Sequence, residues 1–290
     1  MKILFITRRA FPEIGGVERH IEQIAKCLRS SSNKVTIISE ADIKYPHFKF
    51  IGLIYIWYWL FKNRKLIINS DIIHIHDVFI WYLPFRFLYP NKKVFLTIHG
   101  LEWGNPFNKW SLFQKRLAVK LSNGSIGVGK FLEKYIGCKF DYIIYGGIEK
   151  TQKIYTEGGY FNSKIKNSIV FVGRLESDTG LLQFLEYLNA NPNSLNPSFV
   201  GDGSLRKDCE KFGKVYGFCD PTPFYKKAET VVPSGYLTYL EAKSYGCKIK
   251  TFYGNKLKKE YWEEILRLKK FDTWDDVTDV YLKLWKKVTI

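Results

Sequence analysis

Four stretches of this sequence put glycine between a short apolar run and a helix-like segment. In "FPEIGGVERH", Gly15 and Gly16 stand at the amino end of a helix that begins near Val17. Adjacent glycines weaken a helix start by about 1 kcal/mol each relative to alanine, so something must need the backbone bare. Free N–H groups and the positive end of the helix dipole attract an anion there, and a missing side chain lets a ligand press against the chain. A tight turn is the plainer alternative. "FVGRLESDTG" ends a run with Gly173 and Arg174, a guanidinium that could grip a diphosphate through two parallel hydrogen bonds or pair with Glu176 or Asp178. "FVGDGSLR" repeats the arrangement with Gly201 and Gly203. "VVPSGYLTYLEAKSYG" sets Ser234 and Gly235 before a helix that opens with Tyr236 and Leu237, and Glu241 follows one to two turns in. Such a glutamate, turned back toward the helix start, would accept hydrogen bonds from a ribose diol; turned outward it is solvated.

Histidines close two further runs, "DIIHIHDVF" and "LTIHGLEWGN". Alternation sends His74 inward, while His76 and His99 fall at the strand mouths, where an imidazole can orient a sugar hydroxyl or donate to a phosphate. A structural histidine is the competing reading. Without a matching acidic partner the three do not suggest a metal site, and none is expected.

These residues need a scaffold that gathers strand ends. "KILFIT", "KVTIIS", "DIIHIH", "KVFLTIH", "GSIGV" and "DYIIYG" read as strands, with helices near 17–30, 50–68, 79–88, 108–121 and 129–136 between them. After a polar stretch the alternation restarts with "SIVFVG", "PSFVG", "GKVYGF", "ETVVPS" and "CKIKTFY", and with helices near 179–190, 203–212, 236–246 and 257–269. Near-continuous apolar strands alternating with helices predict parallel sheets covered on both faces. The expected fold is therefore α/β, with two Rossmann-like doubly wound domains. In such sheets ligands bind beyond the carboxyl ends of the strands, where the glycines, Arg174 and the histidines lie. "TWDDVTDVYLKLWKK" closes the chain as an amphipathic helix, acidic at its start and basic at its end as the helix dipole favours. The expected divisions are 1–150, a linker at 151–167, a second domain at 168–271 and a last helix at 272–290.

The 290 residues carry a formal charge of +17, and 46% of them are apolar. That surface favours polyanions: nucleic acid, phosphate-bearing small molecules or an anionic membrane. No nucleic-acid motif appears and the lysines form no single stripe, so no nucleic-acid partner is expected. The dinucleotide fingerprint and the Walker lysine motif are absent, which argues against a nicotinamide oxidoreductase. Five scattered cysteines make neither a disulfide framework nor a zinc spacing and suit a reducing, cytoplasmic setting. The run "FIGLIYIWYWLF", Phe50 to Phe61, is too short to span a bilayer. It reads as a buried helix, or else as one whose Trp and Tyr rings sit at a headgroup interface beside basic residues.

Taken in order, "PEIGGVERHIEQIAKCL", "DIIHIHD", "VFLTIHG", "VGRLE", "FVGDGSLR" and "SGYLTYLEAKSYGCKI" resemble the retaining glycosyltransferases of family four (glycosyl transferases group 1). The resemblance implies a GT-B fold, two domains facing across a cleft with the last helix returning to the first. It implies transfer of a sugar from a nucleotide sugar to a hydroxyl acceptor, with retention, no cofactor and no obligatory metal. By matched position Arg174 would hold the diphosphate and Glu241 the ribose. Gly173, Gly201, Gly203, Ser234, Gly235, Tyr236 and Leu237 would approach the nucleotide and its phosphates. Gly15 and Gly16 would close over the diphosphate, and His99 would lie near the transferred sugar. A polyprenyl-linked saccharide, a lipid, a glycoprotein glycan and a small metabolite are all open as acceptors. The positive charge and the aromatic stretch at 50–61, and not the resemblance, tilt the expectation toward a lipid-linked saccharide or glycan with peripheral contact at a membrane. Two positions depart from the family pattern: Thr179 stands where a lysine is usual, and Pro233 stands eight residues before Glu241, where a second glutamate is usual. Arg8, Arg9 or Arg206 could make up the lost charge. A basic nucleic-acid- or membrane-binding protein, or an inactive relative of the family, is the alternative.

Overall fold

The computed structural model describes residues 1–13, 15–46, 49–101, 108–149, 164–192 and 194–287. The chain forms two compact units, Met1–Tyr145 with Trp274–Ile290, and Gly146–Thr273. Residues 151–163 of the expected linker lie outside the described residues.

The first unit is built on six parallel strands: β1 (Lys2–Thr7), β2 (Lys34–Ile38), β3 (Ile72–His76), β4 (Lys93–Ile98), β5 (Gly124–Val128) and β6 (Tyr142–Ile144). Their order is β2-β1-β3-β4-β5-β6. Ile3 to Ile6, Ile72 to His76 and Val94 to Ile98 are buried throughout, as a sheet covered on both faces requires. Register sets Phe5 beside His74 and His74 beside Phe95. The last helix, Trp274–Lys287, packs on this unit and buries Trp274, Val277, Tyr281, Leu284 and Trp285.

The second unit holds β7 (Ile165–Val172), β8 (Asn196–Val200), β9 (Lys214–Val215), β10 (Ala228–Pro233) and β11 (Lys248–Ile249), in the parallel order β11-β10-β7-β8-β9. Phe171, Phe184 and Phe199 form its core, with ring centroids 6.1 and 6.0 Å apart along the row. β7 begins at Ile165, so residues 165–167, expected in the linker, are strand. The short helices Glu40–Ile43 and Thr222–Lys227 were not signalled by periodicity. The stretch expected as a buried helix is helix Lys49–Lys62, but it is only half covered: Ile56 and Leu60 are buried, while Ile51, Ile54, Tyr58 and Phe61 are exposed.

In each sheet the chain runs outward on one side of its first strand and then returns to the other side. That reversal falls between β1 and β3 in the first unit and between β7 and β10 in the second, and the crevice beyond the carboxyl ends at such a point is where ligands sit. Beside the reversal in the second unit, the approach of the chain just past β7 and β8 depends on two glycines. Gly173 (φ +142°) and Gly201 (φ +144°) adopt backbone that side chains disfavour, and a Cβ on Gly201 would lie 1.8 Å from the Gly173 carbonyl oxygen. Gly201→Ala is therefore expected to cost more than about 2 kcal/mol in urea unfolding, from combined backbone strain and steric clash. Gly16→Ala, whose Cβ would meet nothing within 4 Å, should leave the same midpoint unchanged.

Candidate functional site

At the β7/β10 reversal, Gly173 packs against Ser234 so closely that a Cβ would fall 1.7 Å from Ser234 Oγ. Arg174 follows, half exposed, with Nη2 donating to Asp178 Oδ2 at 2.8 Å. The competing ion pair with Asp178 thus forms in the unliganded chain, and the guanidinium stays open to solvent on its other side. Asp178 Oδ1 is buried without a hydrogen-bond partner among the described residues. Glu176 takes no part in that pair. Its carboxylate accepts from Ser204 N at 2.9 Å and Ser204 Oγ at 2.6 Å, and those bonds hold it below the usual carboxylate range.

The glycine loop after β8 has its amides engaged. Gly201 N donates to the Gly217 carbonyl (2.8 Å), Gly203 N to Asp202 Oδ1 (2.9 Å) and Ser204 N to Glu176. A Cβ on Gly203 would meet the Leu175 carbonyl at 2.5 Å, so this loop offers closeness to a ligand and few donors. At the start of helix Tyr236–Ser244, Gly235 N donates to Thr238 Oγ1 (3.2 Å) and Tyr236 N to Tyr261 Oη (2.8 Å). First-turn amides have no partner within the helix, so Leu237 and Thr238 supply the donors not committed to a side chain. Glu241 is buried on this helix, and Tyr225 Oη donates to its Oε2 at 3.1 Å.

Thr179, at the position where the family pattern has lysine, turns its hydroxyl back to the Glu176 carbonyl at 2.6 Å. The cation nearest to hand comes from elsewhere. Lys258, on helix Lys256–Leu266, is the one buried lysine among the described residues. Its Nζ donates to the Ser234 carbonyl at 2.8 Å and lies over the rings of Tyr261 (4.8 Å) and Trp262 (5.6 Å). Burial pulls its pKa down to about 8, with Asp178 opposing the shift and Arg174 adding to it. Sequence reasoning offered Asp178 as a partner for Arg174, as found, and passed over Lys258. Lys258 had a faint signal, a lysine within one turn of the Asn255 cap; its side chain accepts from Lys258 N at 2.8 Å. Arg8, Arg9 and Arg206 each face carboxylates: Glu40 at 3.3 Å, Glu13 at 3.4 Å, and Asp202 and Glu210 at 2.6 and 2.9 Å. Pro233 ends β10 and brings no carboxylate.

In the first unit, helix Gly16–Ser30 starts with Gly15 in extended backbone, and no side chain caps it. The space a Cβ on Gly15 would fill is taken by the Glu18 carboxylate, 2.1 Å from it, whereas that of Gly16 is open. Glu18 is buried, so the first turn already faces one negative group of the protein's own.

Four histidines meet behind this helix. His76 ends β3, as expected of a strand mouth, but is fully buried there, with Nε2 lacking a partner among the described residues. Its Nδ1 lies 3.0 Å from His99 Nε2, and the His99 ring stands edge-on to His20 at 4.9 Å. His99 is placed by Asp77, whose Oδ1 accepts from His99 N at 3.0 Å and lies 3.8 Å from Lys115 Nζ. Asp77 has φ +62°, in a turn where Val78 N reaches the His76 carbonyl at 2.8 Å. Burial raises the Asp77 carboxyl, opposed by Lys115 and the His99 amide. A second chain of bonds runs deeper. Trp285 Nε1, which can only donate, gives to His74 Nδ1 at 3.0 Å. His74 Nε2 then carries the proton and donates to Thr97 Oγ1 (2.7 Å); Thr97 donates to Tyr281 Oη (3.0 Å), and Tyr281 to His20 Nε2 (3.1 Å). Burial lowers all four imidazoles; that of His99 falls to about 3, with Lys115 contributing. Among the described residues no group of His, Cys, Asp or Glu side chains is arranged to hold a metal ion.

Residues 14–149 match the family model of Glycosyltransferase Family 4. No curated protein sequence matches the chain. Among solved structures the fold is similar to that of Anabaena Alr3699/HepE in complex with UDP-glucose, at 13% identity and a TM-score of 0.61, covering 100% of this chain and 98% of that one. It is similar to WaaG, a glycosyltransferase involved in lipopolysaccharide biosynthesis (13%, TM-score 0.63, 98% and 90% covered). It is also similar to the lipopolysaccharide outer core galactosyltransferase WaaB in its apo form (16%, TM-score 0.58, 100% and 98%). The fold of the chain is that of the GT-B glycosyltransferases, and the family match on its first half supports the same class.

The histidine cluster makes stability depend on pH with a definite sign. Unfolded histidine takes up a proton near pH 6.5, while the folded groups resist it to lower pH. The unfolded state therefore binds more protons below pH 6.5, and stability, full above that pH, falls as pH drops toward 3. Each histidine contributes up to about 1.4 kcal/mol per pH unit. Urea midpoints measured from pH 7 to pH 4.5 should fall steeply, and His20→Gln should reduce the slope by about one proton.

Proposed function

We propose that this chain is a retaining, metal-independent glycosyltransferase whose second unit binds a nucleoside diphosphate sugar. The observation that carries the reading is the pairing of two cations, Arg174 and the buried Lys258, with the bare Gly173–Ser234 turn at the β7/β10 reversal. Breaking the bond between the sugar C1 and the diphosphate leaves an electron pair on a phosphate oxygen. Arg174, Lys258 and the amides of Leu237 and Thr238 are the groups that would stabilise that charge, and preorganised donors of this kind supply a large share of catalysis. Arg174 would exchange part of its bond to Asp178 for the phosphate. Glu241, its orientation fixed by Tyr225, would accept from the ribose diol. The acceptor hydroxyl attacks C1 from the face the diphosphate leaves, and its proton passes to the departing phosphate oxygen. No protein nucleophile is needed. Within the first unit, the open face of Gly16 and the ring of His99, held by Asp77 and His76, are the groups that would meet a substrate.

The structure of HepE with UDP-glucose supports a uridine diphosphate sugar as donor, and WaaB and WaaG support a saccharide carried on lipid as acceptor. Protection from thermal unfolding by a panel of nucleotide sugars, followed by a transfer assay with the protecting donor, tests the reading. Arg174→Ala and Glu241→Ala should each lower kcat/KM about a hundredfold; unchanged rates in both would place the site elsewhere. Lys258 is charged below about pH 8. Affinity for nucleoside diphosphate should therefore weaken as pH rises through 8, and Lys258→Met should remove that limb of the profile and lower kcat as well as kcat/KM.

A further inference from the structure

We infer that the exposed face of helix Lys49–Lys62, with the basic turn that follows it, docks this protein on an anionic lipid surface. The helix is held to the first unit by one side only. Ile56 and Leu60 are buried, and Trp57 Nε1 donates to the Ile80 carbonyl at 3.0 Å. The opposite side presents Ile51 (61% exposed), Ile54, Tyr55, Tyr58 (60%) and Phe61, spaced three or four apart and so in line along the helix. A polar face is what a helix on a soluble protein ordinarily turns to water; here the outward stripe is apolar and aromatic. It continues into Leu66 and Ile68, also exposed.

Charge selects the occupant. Lys62, Arg64 and Lys65 are exposed at the end of the stripe, with the Arg64 guanidinium 5.0 Å from the centre of the Phe61 ring. Between Asp42 and Asp71 the sequence has no acidic residue. An apolar ridge carrying tyrosines and phenylalanine, with three exposed cations at its end, complements acyl chains beneath anionic headgroups. The helix lies on such a surface and does not cross it: fourteen residues reach about 21 Å, and none of the described helices is long and apolar enough to span. A second copy of the same patch would set like charges against one another at its rim. This inference does not rest on the sugar-transfer reading, since vesicle binding needs neither donor nor acceptor.

The test is flotation of the full chain with vesicles of phosphatidylcholine alone and of phosphatidylcholine mixed with phosphatidylglycerol, at low and high salt. Binding is expected to the mixed vesicles, weakened by salt. Replacing Lys62, Arg64 and Lys65 together with glutamine should reduce partitioning about a hundredfold, at about 1 kcal/mol per basic residue. Ile54→Ser, Tyr58→Ser and Phe61→Ser combined should lower it at least tenfold, with an unchanged circular dichroism spectrum. Tyr58→Ser alone serves if the combined variant does not fold. Absence of flotation, or flotation that neither set of changes affects, would overturn the inference. So would an apolar variant that turns a dimer into a monomer without altering vesicle binding, which would assign the face to self-association.

Discussion

The carbonyl of Gly173 and the α-carbon of Gly201 come closer than any side chain would permit, and the site of the second unit depends on that approach. With a Cβ at either position β7 and its neighbours would spread at their carboxyl ends. The loop after β7 would then lose its hold on the loop after β8, made by Leu175 N to the Asp202 carbonyl and by Glu176 to Ser204. Arg174 rides on the first of these loops and Ser234 packs against Gly173. The position of the guanidinium therefore follows from the Gly173–Gly201 approach, and that of the carbonyl that anchors Lys258 from the packing of Ser234 on Gly173. The cost of keeping an ammonium out of water at Lys258 is offset only in part by its aromatic neighbours and Asp178, and this is why its proton is loosely held.

The first unit handles polarity differently. Where the second unit gathers charges, the first buries four imidazoles and keeps them neutral. A single indole that can only donate sets the direction of every bond from Trp285 through His74, Thr97 and Tyr281 to His20. His99 stands at the outer end of this packing, with its amide tied to Asp77 and its ring to His76. A ring fixed on both sides, its basicity lowered this far by burial, stays neutral near neutral pH.

Strands and long helices were legible because their pattern is local. "KILFIT" and "GSIGV" became β1 and β5 with the expected bounds, and helix Phe79–Leu88 matches its predicted range. The glycine turns were legible for the same reason, since glycine behind an apolar run announces a strand end. What the sequence hides is contact across distance. Nothing in "NKLKKEYWEE" says which lysine is buried, because Lys258 owes its place to a strand end met by a different helix. The turn at Asp77 was overlooked because φ +62° gives an aspartate no separate mark in sequence. His76 stands at the strand end where it was expected, and its burial went unseen because the last helix, more than two hundred residues on, packs over it. Helix Lys49–Lys62 was apolar all round, and periodicity cannot tell which side a neighbour will cover.

That roofing helix also orders events in time. Residues Met1–Tyr145 and Trp274–Ile290 form one unit, with the entire second unit translated between them. Tyr281 and Trp285, which close the hydrogen-bond chain over His74 and Thr97, reach the ribosome's exit after that delay. At about 5–20 residues per second this is on the order of ten seconds. During it the six-stranded sheet waits with the part of its face beneath Tyr281 and Trp285 uncovered, apolar surface that chaperones would be drawn to until the last helix arrives.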